Sequence, residues 1–286
     1  MGGMRDLTID MLAAGGAATR AALHELGHSY AAIRRAVERD DLCPIGRSWV
    51  LLPDASPSIG LALALSGVLG GASALRSFGV WVTHPTPLQV ATRSHAGVVA
   101  DDDDEGQRIR GIVALDARPW RVSVVDALAQ HCARVPREDA IASIDSALHQ
   151  GLLGDPELDR LFDLLPARCR SWRRQLDPSA GSGLESLLRV PCRDRGWRVE
   201  TQVPAPGGGR SDLLIDGWLH VEADGSESHD DPKQAANDRR LAGAIIAAGG
   251  RWLRFGTGDV VHERPRTLAL IALVLSQGRP ATRLAG

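Results

Sequence analysis

The segment VETQVPAPGGGRSDLLIDGWLHVEADG, residues 199–225, constrains the fold more than any other stretch of the chain. Three short β-rich runs, VETQVPA, SDLLID and LHVEADG, are separated by PGGG and by Gly217-Trp218, so the spacing predicts three strands joined by tight turns. On the second strand Asp212 and Leu214 share a face. On the third, Leu219, Val221 and Ala223 alternate with His220, Glu222 and Asp224. Pairing of the adjacent strands then brings Asp212 beside Glu222 and Asp224. Just upstream, SGLESLLRVPCRDRGW sets Leu184, Leu187, Leu188 and Cys192 on one side of a helix that Gly196 ends, with Glu185 in its first turn.

Carboxylates converging on one spot repel, and a hard divalent cation such as magnesium is the usual reason to place them there. Such an ion makes hydroxide from water and stabilises the charge developing on a phosphodiester. The rival reading is an exposed strand face whose acids are solvated.

The order S-D-L-L-I-D, V-E-A-D-G, His229, D-R-R and W-L-R-F resembles the Vsr-like branch of the PD-(D/E)XK nucleases. The resemblance implies a restriction-endonuclease-like α/β/α domain over residues 177–286 with Glu185, Asp212, Glu222, Asp224 and His229 at its catalytic centre. It implies Asp212 and Glu222 as ligands of Mg²⁺ or Mn²⁺, and His229 as a phosphate contact or an aid to proton transfer. Asp224 stands where other branches place a lysine, and Ser211 stands where many have proline; Lys233 is a candidate for the missing positive charge. The resemblance also implies that Asp238, Arg239 and Arg240 on the next helix face the site or stabilise the helix, with Arg239 and Arg240 as DNA contacts, and that Arg254 on WLRF does likewise; a purely structural role is open for both.

At the amino end, TRAALHELGHSYAAIRRAVERDDL, residues 19–42, reads as two helices and a turn. Thr19 caps the first, in which Ala22, Leu23 and Leu26 share a face, and Gly27 stops it. Ser29 caps the second, in which Ala32, Ile33, Ala36 and Val37 recur at helical spacing. Leu42 and residues 49–52 around Gly46 form a hairpin wing. A winged helix over residues 1–55 would present Ser29, Tyr30, Arg34 and Arg35 to DNA. LHELGHSYAAIRRAV resembles the winged-helix part of the AbiEi antitoxin-type regulators, and residues 123–153 resemble the adjoining AbiEi-like region. HELGH at 24–28 also spells the zinc-peptidase motif, but Gly27 and Ser29 interrupt the helical face that its two histidines need, and Arg34 stands at the metzincin third-ligand position.

Between them, residues 56–176 read as a mixed α/β region: a small-residue helix pair across Ile59 to Leu75, strands near Phe78–Val82 and Ile112–Leu115, and helices at 123–133, 138–150 and 155–164. DDDDEG at 101–106 reads as a solvated acidic loop, RCRSWRRQ at 168–175 as a basic stretch open to phosphates or solvent, and DPSAGSG at 177–183 as a linker. The whole is an α/β multidomain chain.

With 286 residues and a formal charge of −2, the chain is no polycation, so DNA contact must come from local basic surfaces. Four widely spaced cysteines without CxxC spacing indicate free thiols in a reducing cytosol. No secretory signal or membrane span is read, which points to a cytoplasmic protein; a homodimer is open. The two functions in contention are a metal-dependent DNA endonuclease and a DNA-binding regulator of antitoxin type with an inactive nuclease fold. Defence, repair and toxin–antitoxin control are all open.

Overall fold

The structure is a computed structural model that describes residues 6–92, 107–110, 114–225 and 232–280. The protein is of mixed α/β class with three small sheets among the described residues. It divides into two compact units: Met1–Gly79, His84–Arg134 and Glu157–Leu164 form the first, and Val80–Thr83, Val135–Pro156 and Leu165–Gly286 the second.

The first unit begins with α1 (Leu7–Ala13), β1 (Ala17–Thr19), α2 (Arg20–Glu25), α3 (Tyr30–Glu38), β2 (Cys43–Ile45) and β3 (Trp49–Leu51). Side-chain caps start the helices: Thr19 accepts from the Ala22 amide and Ser29 from the Ala32 amide, both at 3.1 Å. Gly27, at φ +103°, takes the left-handed turn between α2 and α3 that a Cβ would disfavour. The strands form an antiparallel sheet in the order β1-β3-β2. Met11, Leu23, Ile33, Ala36, Leu42 and Val50 make the core. Leu26, expected on the packed face with Leu23, is instead 41% exposed, because it closes α2 where the chain turns away.

The expected helix pair is present as α4 (Pro57–Ala64) and α5 (Gly71–Ser77), with a short strand β4 (Val68–Leu69) between them. The small residues serve close approach: a Cβ on Gly67 would meet Val90 at 2.4 Å. Strands β5 (Gln89–Thr92) and β6 (Gln107–Arg110) complete the sheet β4-β5-β6. No strand forms over Phe78–Val82. Phe78 closes α5, and the Arg121 guanidinium lies 3.5 Å over its ring, a tertiary contact that sequence spacing does not show. Of the other expected strand, Ile112 and Val113 lie outside the described residues, as do residues 101–106, and Leu115 makes one isolated bridge to Val122. Three helices follow as expected: α6 (Val124–Cys132), α7 (Arg137–His149) and α8 (Asp155–Leu164).

The second unit takes α7 and adds a 3-10 segment Ala167–Gln175, then α9 (Gly183–Asp194), β7 (Val199–Pro204), β8 (Arg210–Ile215), β9 (Leu219–Asp224), α10 (Pro232–Ala247), β10 (Arg251–Gly256) and α11 (Arg264–Ser276). Its sheet runs β10-β9-β8-β7; β7, β8 and β9 are antiparallel neighbours and β10 joins β9 in parallel after the α10 crossover. Leu213, Ile215, Leu219 and Val221 pack under Leu184, Leu187 and Leu188 of α9 and Leu268 and Ile271 of α11. Residues 177–183 are tied down: Asp177 accepts from the Thr201 hydroxyl at 2.8 Å and Ala180 is buried. Beneath α9, fully buried Arg189 donates to Asp145 of α7 at 2.5 Å. The same Asp145 carboxylate takes the Ser186 hydroxyl and the Asp177 amide, each at 2.7 Å. No helix among the described residues is long and apolar enough to cross a membrane. All four cysteines are free thiols, and Cys43 alone of them is exposed.

Candidate active site

Strand register assembles the site. Leu213 pairs with Val221 and Leu214 with His220, so the next step of the ladder sets Asp212 opposite Glu222. The parallel pairing of β10 sets Arg254 beside Glu222 and Gly256 beside Asp224. From the opposite side α9, capped by Ser182, brings in Glu185, which is 3% exposed. These residues line a recess of about 380 Å³ together with Leu241, Trp252 and Arg254.

Each acid has a distinct environment. Glu185 Oε2 accepts from the Gln202 side-chain amide at 2.8 Å and from the Gly181 backbone at 3.0 Å. Asp212 Oδ2 accepts from the Ala223 amide at 2.8 Å, and Oδ1 from Gln202 at 3.3 Å. Asp224 forms an ion pair with Arg254. Among the described residues, Glu222 Oε1 is buried without a hydrogen-bond partner, as is Trp252 Nε1.

The electrostatics follow from that crowding. Burial pushes the Glu222 carboxyl up to about 8, the charge and hydrogen bond of Asp212 add to the rise, and Ser211 and Arg254 oppose it. Burial also raises Asp212, against the pull of its hydrogen bonds from Ala223, Glu222 and Gln202. Burial and then the Asp212 charge raise Glu185. Both shifts favour a proton held between Asp212 and Glu222 when no cation is bound. Among the described residues no three His, Cys, Asp or Glu side chains converge closely enough to cage an ion by themselves. Magnesium does not need such a cage, since one or two carboxylates with water completing the shell suffice.

Of the residues singled out from sequence, Glu185, Asp212, Glu222 and Asp224 meet at this recess with Arg254. His229 lies outside the described residues. Ser211 is buried, and its hydroxyl lies 2.8 Å from His220 Nδ1. Arg239 and Arg240 are exposed on α10. Gln202, Trp252 and the Ser211–His220 pair escaped sequence reasoning. Strand alternation could have placed Gln202 on the face of Asp212, but nothing local signals its amide contacts.

In the first unit Ser29 is exposed as the α3 cap, Tyr30 is 54% exposed and stacks on His24 with ring centroids 4.5 Å apart, and Arg34 and Arg35 are exposed. Arg34 pairs with Glu38 at 3.4 Å on the same surface. The two histidines of HELGH do not converge. His28 is buried, with Nε2 2.7 Å from Asp10, while His24 lies under Tyr30. Comparison with protein-family models returns no match, and comparison with curated proteins returns none.

Proposed function

We propose that the chain is a metal-dependent DNA endonuclease, with an amino-terminal winged helix that seats it on duplex DNA and a PD-(D/E)XK-type second unit that hydrolyses the backbone. The observation that carries this reading is the buried Glu222 Oε1, which has no hydrogen-bond partner among the described residues, on a carboxyl crowded by Asp212 in an acidic recess. An acceptor stripped of water and crowded by a second acid is costly unless a cation completes it. Asp212 and Glu222 would hold Mg²⁺ or Mn²⁺, which when bound activates water and stabilises charge on the phosphodiester. Glu185 keeps the recess anionic from the helix side. Arg254, held by Asp224 at the rim, supplies a guanidinium for a phosphate oxygen. In the first unit Ser29, Tyr30, Arg34 and Arg35 would face the major groove, and Arg239 and Arg240 of α10 would add phosphate contacts.

The test is cleavage by the full chain with Mg²⁺ or Mn²⁺ over supercoiled, nicked, mismatched and single-stranded DNA, with Asp212→Ala as control. Absence of cutting on every substrate, or equal cutting by the variant, sinks the proposal. The raised Asp212 and Glu222 carboxyls support a second reading, a DNA-binding regulator whose nuclease fold is inactive: a proton held between them would let the recess persist without metal. Calorimetry separates the two, because a regulator of that kind takes up no Mn²⁺ at these carboxylates.

A further inference from the structure

Gln202 lies within β7 at φ +51°, in the left-handed region that residues with a Cβ rarely adopt. The β7–β8 ladder pairs Thr201 with Leu213 and Val203 with Ser211 and passes over Gln202. Backbone strain of this kind persists where the surroundings over-determine it, and here two sets of contacts do so. Arg210 donates from its guanidinium to the Gln202 carbonyl, with Nε at 2.9 Å. The side-chain nitrogen donates to Glu185 at 2.8 Å and to Asp212 at 3.3 Å. One NH₂ group carries two hydrogens, so a single nitrogen satisfies an acid of α9 and an acid of β8 at once.

We infer that Gln202 is a positioning residue of the carboxylate site, fixing Glu185 of the helix against Asp212 of the sheet through that one amide. The inference rests on the metal-dependent reading of the recess. The choice of side chain has a chemical logic. A lysine or arginine at this place would neutralise the acids and exclude a cation, whereas a neutral amide relieves their repulsion and leaves their charge available. The left-handed backbone is then retained for the geometry of the site, not for the strand.

Gln202→Met keeps the length of the side chain and removes both donors. A double-mutant cycle of Gln202→Met with Glu185→Met, measured by urea unfolding of the full chain in EDTA, should depart from additivity by roughly tenfold in the unfolding constant. Mn²⁺ calorimetry should show Gln202→Met binding about 10- to 100-fold more weakly than the parent, the range for groups that orient metal ligands. Gln202→Gly relieves the φ strain, so it should melt no lower than Gln202→Met and still bind Mn²⁺ as weakly, which a merely structural role would not produce. An additive cycle in EDTA overturns the clamp, and unchanged Mn²⁺ affinity in both variants overturns its positioning role. A parent protein that binds no Mn²⁺, with the cycle still coupled, overturns the nuclease reading and the positioning role while the contact itself stands.

Discussion

Replacing Glu222 by Gln removes a charge that the metal-free fold holds at a cost. Burial and the neighbouring Asp212 raise its carboxyl from 4.5 to about 8. Between those values the folded chain keeps a proton that the unfolded chain has released, so stability falls as pH rises through this window and levels off above it. At about 1.36 kcal/mol per pH unit the full span is about 5 kcal/mol. Solvent reaching the open recess reduces this to about 2 kcal/mol. The amide that Glu222→Gln introduces carries no charge at any of these pH values. Calorimetric melts in EDTA should therefore show the variant unfolding about 5 °C above the parent at pH 8, with the gap closing to about a degree near pH 5. Excess Mn²⁺ reverses the order: at a hundredfold excess over Kd the parent gains about 2.7 kcal/mol, and the variant, short of one ligand, gains little. The proton belongs to the acid pair, so Asp212→Asn should move stability in the same direction. A variant that melts below the parent at pH 8 in EDTA, or a gap that does not widen with pH, refutes the reasoning.

Three further perturbations have defined outcomes. Asp145→Asn strands Arg189 beneath α9 and should cost about 3–5 kcal/mol in urea unfolding, while the pair Asp145→Leu with Arg189→Met should cost much less; a single-variant loss under about 1 kcal/mol would count against a buried ion pair. His131 is 3% exposed, its Nε2 has no hydrogen-bond partner among the described residues, and burial followed by the charges of Arg76 and Arg134 lowers it to about 4. The unfolded chain takes up that proton first, so stability should be lost as pH falls from 6.5 through about 4, by about 3 kcal/mol, and His131→Gln should flatten this acid limb in pH-dependent melts. On the proposed DNA surface, Arg34→Ala and Arg35→Ala should each reduce the slope of log affinity against log salt by about 1; unchanged slopes in fluorescence anisotropy would remove α3 from the interface.

What the sequence disclosed was governed by local chemistry. Thr19, Ser29 and Gly27 cap or stop helices through contacts a few residues away, and strand alternation carries Asp212 and Glu222 to one face, so these were legible. Leu26 and Phe78 depart from the sequence expectation because each closes a helix where the chain turns, and Phe78 lies under Arg121, far along the sequence. The Asp145–Arg189 pair, which joins α7 to α9, has no local signature at all. Three other features hidden from sequence share one neighbourhood. A left-handed glutamine, and a buried carboxylate oxygen and an indole nitrogen that have no partner among the described residues, all belong to residues at or beside the recess. Such features are not confined to the recess: Asp40, Ser66 and Asp216 are also left-handed, and His131 Nε2 is buried with no partner among the described residues. What distinguishes the recess is contact: the Gln202 amide bridges Glu185 of α9 and Asp212, the acid that strand pairing sets against Glu222, so the strained residue acts on the acids themselves.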